Sequence, residues 1–335
     1  MEKYTPLEPI GKGSFGEIWK VQRKSDSKVL VWKVLNYSFM SEQEKAQIMT
    51  ETSILEELNH PCIVKYYDTV TDSSQIYIVM EYCQGGDLSQ LIKKYKENRE
   101  YIPEDIIWKY FYQMVLGVHL CHAGKSRILH RDLKPRNIFI DESNNVKIGD
   151  FGLARIMGEN SLYAQTCVGT PFYMSPEQVS ASFYDEKSDI WSLGCILYEL
   201  AAQKPPFQGT NYLQIAVKIK EESFERIPLR YSEDMWNLVT QLLNKNPEER
   251  PSTQSLINFP QVSVRIHEKE SRDSLISLQV LESKIKKRFE EALRVKQELK
   301  LREDRIKQKE KSLENEGSSL EEITFRILSR IYQKS

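Results

Sequence analysis

Two short apolar runs separated by a turn constrain the fold of this 335-residue chain more than any other feature. Residues 138–140 (Ile-Phe-Ile) and 146–148 (Val-Lys-Ile) flank the turn-rich stretch 141–145 (Asp-Glu-Ser-Asn-Asn), and this pattern predicts a hairpin of two strands. The hairpin would return Asp150, which follows the second strand, to Asn137, which precedes the first strand. The sequence therefore predicts that a carboxylate and an amide meet at one point.

Asn137 and Asp150 belong to two polar segments that together can build a phosphoryl-transfer site. The segments are His130-Arg131-Asp132-Leu133-Lys134-Pro135-Arg136-Asn137 and Asp150-Phe151-Gly152. Two converging oxygen ligands suit Mg²⁺, which shares its remaining coordination with waters and nucleotide phosphates. Asp132 would accept the proton of a substrate hydroxyl, and Lys134 would neutralise charge on the phosphoryl group. Any one triplet could be an ordinary polar loop, but the spaced set indicates function.

From about Tyr4 to Phe259, the chain resembles the eukaryotic protein kinases. The resemblance implies an α+β, bilobal fold over residues 1–260, with a small β-rich N-lobe (about 1–80) and a larger α-helical C-lobe (about 84–260). It also identifies a glycine-rich loop between two predicted strands, 7–10 and 18–21, where backbone amides can approach phosphates closely. This loop carries Gly11, Gly13, Ser14 and Gly16.

Lys33 is the one cation in an apolar run, 29–35, that predicts a buried strand. A buried lysine needs an anionic partner, and the kinase resemblance supplies nucleotide phosphates and one helical glutamate. Glu51 is our candidate, because the pattern of residues 42–58 predicts a helix that could point it toward Lys33. The expected inner face of that helix consists of Ile48, Thr52, Leu55 and Leu58.

The resemblance further implies an adenine pocket with a gatekeeper and a hinge, and ATP with Mg²⁺ (or Mn²⁺) as cofactors. The remaining ATP-binding residues carried over are Ile10, Ile18, Val31, Met80, Glu81, Cys83, Asp87 and Phe139. Such pockets are mostly apolar, so these residues could equally be plain core. Asp87, expected near the ribose, could equally be a helix N-cap.

A segment from Asp150 to Glu177 is expected to be the activation segment, which docks peptide substrates. Its ending is typical of protein kinases rather than small-molecule kinases, and Lys134 with Thr170 resembles the serine/threonine branch rather than the tyrosine branch. Phosphorylation can order such a segment through arginine pairs, and Arg131 is a ready partner. The expected phosphorylation sites are Thr166 as the main one, with Thr170 and Ser161 as further candidates.

Glu177, Arg250 and Asp189 of the C-lobe are expected to be structural. Glu177 should pair with Arg250, whose rigid fork suits a buried carboxylate. Asp189 should anchor the catalytic loop from a hydrophobic helix. Ser175 stands where many kinases have alanine before Pro-Glu.

Several stretches resemble one family, the NIMA-related kinases, and above all its fungal founding member and the mitotic, centrosomal member of animals. These stretches are 31–33 (Val-Trp-Lys), 77–88, 149–155 and 187–191. Arg136 departs from the family, which usually has a small residue there. Basophilic kinases have an acidic residue at this position that contacts substrate arginine, so we predict poor phosphorylation of arginine-directed peptides. The family instead implies a hydrophobic residue three positions before the acceptor.

The C-terminal part of the chain carries an apolar residue at every seventh position, which predicts a coiled coil over 275–331 after a linker, 261–274. The series is Leu278, Ile285, Ala292, Leu299, Ile306, Leu313, Leu320 and Ile327. Only two of the positions three residues earlier, Leu275 and Phe289, are apolar, which implies a modest-affinity homodimer. The alternative is a single charged helix that lies on the kinase or stays disordered. The family resemblance implies that the dimer promotes autophosphorylation in trans.

Composition limits the compartment and the partners. Residues 1–260 carry 29 Lys and Arg against 34 Asp and Glu, and residues 261–335 carry 18 against 14, which is too mild for nucleic-acid binding. Five unpaired-looking cysteines predict a reducing cytoplasmic or nuclear compartment, and there is no signal-peptide core or membrane-length apolar run. We expect protein substrates and no membrane, with the family implying a centrosome or spindle-pole role in mitosis and the cell cycle.

Two rival functions belong to other classes. A pseudokinase scaffold would keep the fold and lose the chemistry, but the intact set of Lys33, Glu51, Asp132, Asn137 and Asp150 weighs against it. A purely structural coiled-coil protein would leave most of the chain unexplained. Phosphate transfer in vitro decides between them.

Overall fold

The fold begins with a twisted antiparallel sheet of five strands in the order β1-β2-β3-β5-β4. The computed structural model describes residues 2–13, 16–36, 38, 48, 52, 55–56, 58–72, 74–124, 128–150, 171–180, 184–221 and 223–332. The strands are β1 (Tyr4–Gly13), β2 (Gly16–Arg23), β3 (Val29–Asn36), β4 (Tyr66–Thr71) and β5 (Gln75–Glu81). The predicted glycine-rich hairpin and the predicted buried strand around Lys33 are thus confirmed.

Strand β3 lies in the centre of this sheet, which explains why its sequence is nearly all apolar. Lys33 pairs with Ile18 of β2 on one side and with Ile78 of β5 on the other. The two faces of the sheet carry separate apolar clusters, one with Leu35 and Tyr66 and one with Trp32. Because successive side chains alternate between faces, Lys33 and Trp32 point to opposite sides.

The predicted inner face of residues 42–58 is buried. Ile48, Thr52 and Leu58 are 0%, 2% and 7% exposed, and Leu55 packs against the core. Ile48 and Leu55 contact the cluster that contains Tyr66, so this face lies against the sheet. The other residues of this stretch, including Glu51, lie outside the described residues except for the exposed Glu56.

The C-lobe is built around two helices that are buried on nearly every side. The helices are α1 (Leu88–Glu97), α2 (Glu104–Ala123), α3 (Pro176–Val179), α4 (Glu186–Ala202), α5 (Tyr212–Glu221), α6 (Glu233–Leu242) and α7 (Thr253–Ile257). Helix α2 packs against α4 and α7, and α4 packs against α6. Since most side chains of α2 and α4 are buried, these helices form the centre of the lobe rather than its surface.

The predicted two-stranded hairpin is present as β6 (Ile138–Ile140) and β7 (Val146–Ile148), with Ile138 opposite Ile148. A 3₁₀ helix, Pro135–Asn137, precedes it, and a second 3₁₀ helix spans Pro247–Glu249. Helix α2 packs against β7, which fixes the hairpin on the C-lobe. The bilobal fold expected from the sequence is therefore confirmed.

The last helix, α8, runs from Pro260 to Tyr332. Its first turns belong to one compact unit, residues 1–266, where Val262 is fully buried, and residues 267–335 form a second unit. Residues 261–274, expected to form a linker, are helical. Among the residues that the structure describes, no helix combines the length and apolarity needed to cross a bilayer.

Candidate active site

Asp132, Lys134 and Asn137 form one hydrogen-bonded group at the end of the loop before β6. Lys134 Nζ lies 2.9 Å and 2.7 Å from the two carboxylate oxygens of Asp132. Asn137 Nδ2 donates to the Asp132 carbonyl at 2.8 Å and to its Oδ2 at 3.0 Å. These bonds hold the carboxylate at a partly exposed position, where it can accept a proton from a substrate hydroxyl.

Asp189, in the first turn of helix α4, anchors the loop that carries Asp132. Its two carboxylate oxygens accept the backbone N–H groups of His130 and Arg131 at 3.0 Å and 3.1 Å, and His122 Nε2 lies 2.8 Å away. Burial opposes the charged form of Asp189, but the hydrogen bond and charge of His122 lower its pKa overall. The expected anchoring role of Asp189 is confirmed by these contacts.

The β6–β7 hairpin brings Asp150 to Asn137, as predicted. The backbone N–H of Gly149 donates to the Asn137 carbonyl at 2.9 Å, and His130 Nε2 lies 2.9 Å from the Gly149 carbonyl. Asp150 follows directly and has a left-handed φ of 56°, which is uncommon for a residue with a side chain. The hairpin therefore presents a carboxylate and an amide at one edge of the cleft.

Lys33 forms an ion pair with Asp150, with Nζ 2.9 Å from Oδ1. The lysine side chain is 5% exposed and the aspartate side chain 28% exposed, so the pair spans the floor of the cleft rather than the surface. Sequence reasoning paired Lys33 with phosphates and a helical glutamate and missed this contact. Lys33 and Asp150 are 117 positions apart in the chain, so no local sequence pattern predicts that they form a pair.

Gly16 is required where the glycine-rich loop meets strand β3. A Cβ atom at this position would lie 1.7 Å from the Val34 carbonyl oxygen. At Gly11, by contrast, nothing lies within 4 Å of the added atom, so this face of the loop is open. Of the other carried-over ATP-binding residues in the N-lobe, Val31 is buried, Ile18 is half-buried and Ile10 is 43% exposed.

The hinge after β5 is tied to the C-lobe through Glu81. Its carboxylate accepts the backbone N–H of Lys65 at 3.1 Å and pairs with Lys147 of β7 at 3.0 Å. Met80 lines a cavity of about 20 Å³ together with Tyr66, Leu55 and Asp150. Burial raises the pKa of the Cys83 thiol to about 12, so this hinge cysteine stays protonated.

Asp87 caps helix α1, because its side chain accepts the backbone N–H of Gln90 at 3.0 Å. The structure therefore shows Asp87 as a helix N-cap, the alternative to a role near the ribose. Phe139 lies under the cleft, next to Gly149, where an added Cβ would lie 2.7 Å from the phenyl ring.

Glu177 and Arg250 make the buried ion pair predicted from the sequence. Two guanidinium nitrogens donate to the two carboxylate oxygens at 2.7 Å and 2.8 Å. Burial alone would raise the pKa of Glu177, but hydrogen bonds from Arg250 and Ser188 lower it to about 2. Ser175, unusual at its position, caps α3 and donates to Ser188 at 3.3 Å.

Five predicted functional residues lie outside the described residues. They are Ser14, Glu51, Ser161, Thr166 and Thr170.

Comparison with known proteins identifies the family. A family model described as protein kinase domain matches residues 4–262. The serine/threonine-protein kinase Nek2 of Mus musculus is 44% identical over 327 residues, which cover 96% of this chain and 73% of that protein. The G2-specific protein kinase nimA of Emericella nidulans is 43% identical over 296 residues, covering 80% of this chain and 42% of that protein. The chain belongs to the NIMA-related serine/threonine protein kinases.

The similarity to these kinases extends beyond residues 4–262. The G2-specific protein kinase fin1 of Schizosaccharomyces pombe is 37% identical over 353 aligned residues, which cover the whole of this chain and 48% of that protein. Protein kinases transfer phosphate from ATP, generally with Mg²⁺, to hydroxyl groups of proteins. The predicted family and the predicted serine/threonine kinase activity are therefore confirmed.

Proposed function

We propose that the cleft between the lobes binds ATP and Mg²⁺ and transfers the γ-phosphate to a Ser or Thr hydroxyl as follows. Asp132 accepts the hydroxyl proton, and Lys134, bonded to both carboxylate oxygens of Asp132, stabilises negative charge on the phosphoryl group. Lys33 positions the α and β phosphates from inside the sheet. The observation that supports this proposal is the convergence of Asp132, Lys134, Asn137 and the Lys33–Asp150 pair.

The donor atoms at this point fit Mg²⁺. Asn137 uses Nδ2 for both bonds to Asp132, which directs its amide oxygen toward other partners, and Asp150 contributes a carboxylate. Both are hard oxygen ligands, the type that Mg²⁺ prefers beside nucleotide phosphates. When bound, the metal would neutralise charge on the β and γ phosphates.

Substituting Asp132 tests the catalytic assignment. Asp132→Asn should lower the rate of phosphate transfer by at least a hundredfold, because it removes the proton acceptor, while ATP binding by calorimetry stays within about threefold of the wild type. Asp141→Asn, in the turn between β6 and β7, is the matched control and should keep both values. Equal transfer rates for wild type and Asp132→Asn would contradict the assignment.

We also propose that two copies associate through α8 and phosphorylate each other. The supporting observation is the stripe of seven apolar side chains that the single chain leaves 55–66% exposed. The stripe consists of Leu278, Ile285, Leu299, Ile306, Leu313, Leu320 and Ile327. A sustained seven-residue repeat of exposed apolar residues on one helix favours burial against a second helix.

A pair of substitutions on the same helix tests this association. Leu299→Asp with Ile306→Asp should convert the dimer to a monomer in sedimentation velocity, because it places charges in the apolar stripe. Leu301→Asp is the matched control, since Leu301 is equally exposed, at 61%, but lies outside the repeat. The stripe variant should also make autophosphorylation more concentration-dependent. A monomeric wild type, or a control that dissociates equally, would contradict the proposal.

Regulation and cellular role form the last part of the proposal. Thr166 is proposed as the main activating site, with Thr170 and Ser161 as secondary sites, and Thr166→Ala should prevent reactivation by ATP after phosphatase treatment. The relatives nimA and fin1 are named as G2-specific protein kinases, which supports a role in the cell cycle. A cytoplasmic or nuclear location with recruitment to a centrosome or spindle pole is proposed from the cysteine usage and the family resemblance. Fluorescent tagging of the chain through one division checks that location.

A further inference from the structure

Three cationic side chains surround the ring of Tyr67 on strand β4. Lys28 Nζ lies 5.1 Å from the ring centre, the Arg23 guanidinium carbon 5.2 Å and Lys65 Nζ 5.7 Å. They come from the end of β2, from the residue before β3 and from the residue before β4. Contact with one aromatic ring at an exposed site offsets only part of the repulsion among three like charges. The fold therefore gathers positive charge around a single side chain.

Of these three cations, only Arg23 forms an ion pair with a carboxylate among the residues that the structure describes. Its guanidinium donates to the two oxygens of Asp26 at 2.9 Å and 2.6 Å, and this bonding lowers the pKa of Asp26 to about 2. Asp26 also accepts the backbone N–H of Lys28 at 3.2 Å, which fixes the turn between β2 and β3. The side chains of Lys28 and Lys65 are exposed, and their charges have no such partner in the described part of the chain.

The carboxylate that follows Tyr67 in the strand is already bonded elsewhere. Asp68 Oδ2 accepts Lys3 Nζ at 3.3 Å and the Tyr4 hydroxyl at 3.1 Å. It therefore belongs to a contact with the start of β1 and does not neutralise the cations around the Tyr67 ring.

The Tyr67 hydroxyl adds a further hydrogen-bond donor to this cluster. It accepts Lys28 Nζ at 2.8 Å, and within the described residues no group accepts its own hydrogen. Because a phenolic hydroxyl both accepts and donates, this hydrogen can bond to an incoming oxygen atom. Two lysines and one hydroxyl thus offer donors beside the same ring, an arrangement that suits an anion.

This cluster lies on the face of the sheet opposite the candidate active site. The Tyr67 ring packs against the apolar cluster that contains Trp32. Lys33, the next residue of β3, reaches Asp150 from the other face. An anion beside Tyr67 would therefore occupy a site separate from the ATP cleft.

A phosphate monoester matches this site better than other anions do. A phosphorylated serine carries nearly two negative charges at pH 7 and three strong acceptor oxygens, enough for both lysines and the hydroxyl. A carboxylate brings one charge and two oxygens. Recognition of an anionic membrane uses about four to eight adjacent cations, more than the two lysines without a carboxylate partner that meet at this ring.

We propose that Lys28, Lys65 and Tyr67 form a docking site for a phosphoserine- or phosphothreonine-bearing segment of a partner protein, on the outer face of the N-lobe sheet. Arg23 is a positioning residue, because its pair with Asp26 holds the turn that presents Lys28. The inference goes beyond the proposed function, since this site takes no part in ATP binding or phosphate transfer.

Fluorescence anisotropy on the full-length chain, with no nucleotide present, tests the proposal. The probe is a labelled peptide of Gly and Ala with one central phosphoserine. At low ionic strength it should bind at least tenfold more tightly than the same peptide with serine, and about threefold more tightly than the peptide with Glu at that position. The binding should weaken as ionic strength rises.

Charge reversal at the two lysines assigns the binding to this site. Lys28→Glu with Lys65→Glu should weaken binding of the phosphoserine peptide at least tenfold. Lys24→Glu with Lys93→Glu is the matched control, because it changes the net charge equally at two exposed lysines, and it should stay within about twofold of the wild type. Tyr67→Phe, which keeps the ring, should weaken binding about threefold. The Lys28→Glu and Lys65→Glu variant should phosphorylate a peptide without phosphoserine at the wild-type rate.

The outcomes separate this inference from the proposed function, because binding is measured without ATP. Equal binding of the phosphoserine and serine peptides, or equal losses in the two double variants, would overturn the inference and leave the kinase function standing. Binding to phosphatidylserine vesicles that depends on both lysines, without a preference for the phosphoserine peptide, would assign the cluster to a membrane surface and overturn the inference as well.

Discussion

The buried pair of Glu177 and Arg250 allows a stability prediction to be worked from the structure. The Arg250 side chain is fully buried, and its nitrogens donate to Glu177 and to the backbone carbonyls of Asn244, Lys187 and Lys245. Glu177→Gln keeps the shape of the side chain but leaves the guanidinium buried without a carboxylate. Removing one partner of a buried pair costs about 3–5 kcal/mol, because the other charge stays uncompensated.

The lowered pKa of Glu177 gives a second figure for the same contacts. It falls from 4.5 to about 2, and since one unit corresponds to about 1.4 kcal/mol, the charged form stabilises the fold by about 3 kcal/mol. This value lies at the lower end of the range of about 3–5 kcal/mol, because the Glu177 carboxylate keeps some contact with solvent. For a domain of this size, such a loss lowers the melting temperature by roughly 6–12 °C.

The pH dependence of this difference has a definite sign. Because the pKa is lower in the folded chain, the stabilisation is complete above the unfolded value of 4.5 and is lost as the pH falls toward 2. The difference between wild type and Glu177→Gln should therefore stay constant from pH 7 to about pH 5 and shrink below it. Melting curves followed by tryptophan fluorescence measure this, since Trp191 lies under Arg250 at 5.0 Å.

Two controls make the test specific. Glu225→Gln breaks an exposed pair with Lys204 and should leave the melting temperature unchanged. Glu177→Met combined with Arg250→Met removes both charges and should cost less than the two single changes together. A melting temperature of Glu177→Gln within about 2 °C of the wild type at pH 7 would refute the reasoning.

Three further predictions concern the cleft and its supports. Gly16→Ala should weaken ATP binding by at least tenfold in calorimetry, because its Cβ would overlap the Val34 carbonyl, whereas Gly11→Ala should bind ATP nearly as the wild type does. Glu81→Gln removes the charge that pairs with Lys147 and should lower the melting temperature by roughly 2–4 °C, or about 1 kcal/mol. Asp189→Asn should lower kcat at least tenfold with unchanged ATP affinity, because an amide nitrogen would face a backbone N–H of the catalytic loop.

Features that depend on neighbouring residues could be predicted from the sequence. The β6–β7 hairpin follows from two apolar runs and a turn between them, and it sets the meeting of Asn137 with Asp150. The central position of Lys33 follows from the apolar run around it. In each case the spacing of residue types along the chain fixes the result, and distant parts of the fold are not needed.

Contacts between distant residues could not be predicted in the same way. The Lys33–Asp150 and Glu81–Lys147 pairs depend on how the two lobes meet, which no local pattern encodes. The bond from Tyr173 to Glu199 had a usable signal, because Glu199 is a carboxylate within a largely apolar stretch of α4, and a buried carboxylate needs a partner. The helix over the predicted linker could also have been predicted, because residues 261–274 contain no Gly or Pro to interrupt it.

Helix α4 connects the segment around Glu177 to the loop that carries Asp132 through two consecutive residues. Ser188 donates to Glu177 at 2.7 Å, which fixes the segment after residue 170, and Asp189 accepts the backbone of His130 and Arg131. Neighbouring positions on a helix point about 100° apart, so one buried helix can hold two loops on different sides. Since α4 lies in the centre of the C-lobe, a shift of either loop against it would disturb close packing on all sides. The distance between the segment around Glu177 and the loop that carries Asp132 is therefore set by the core of the lobe.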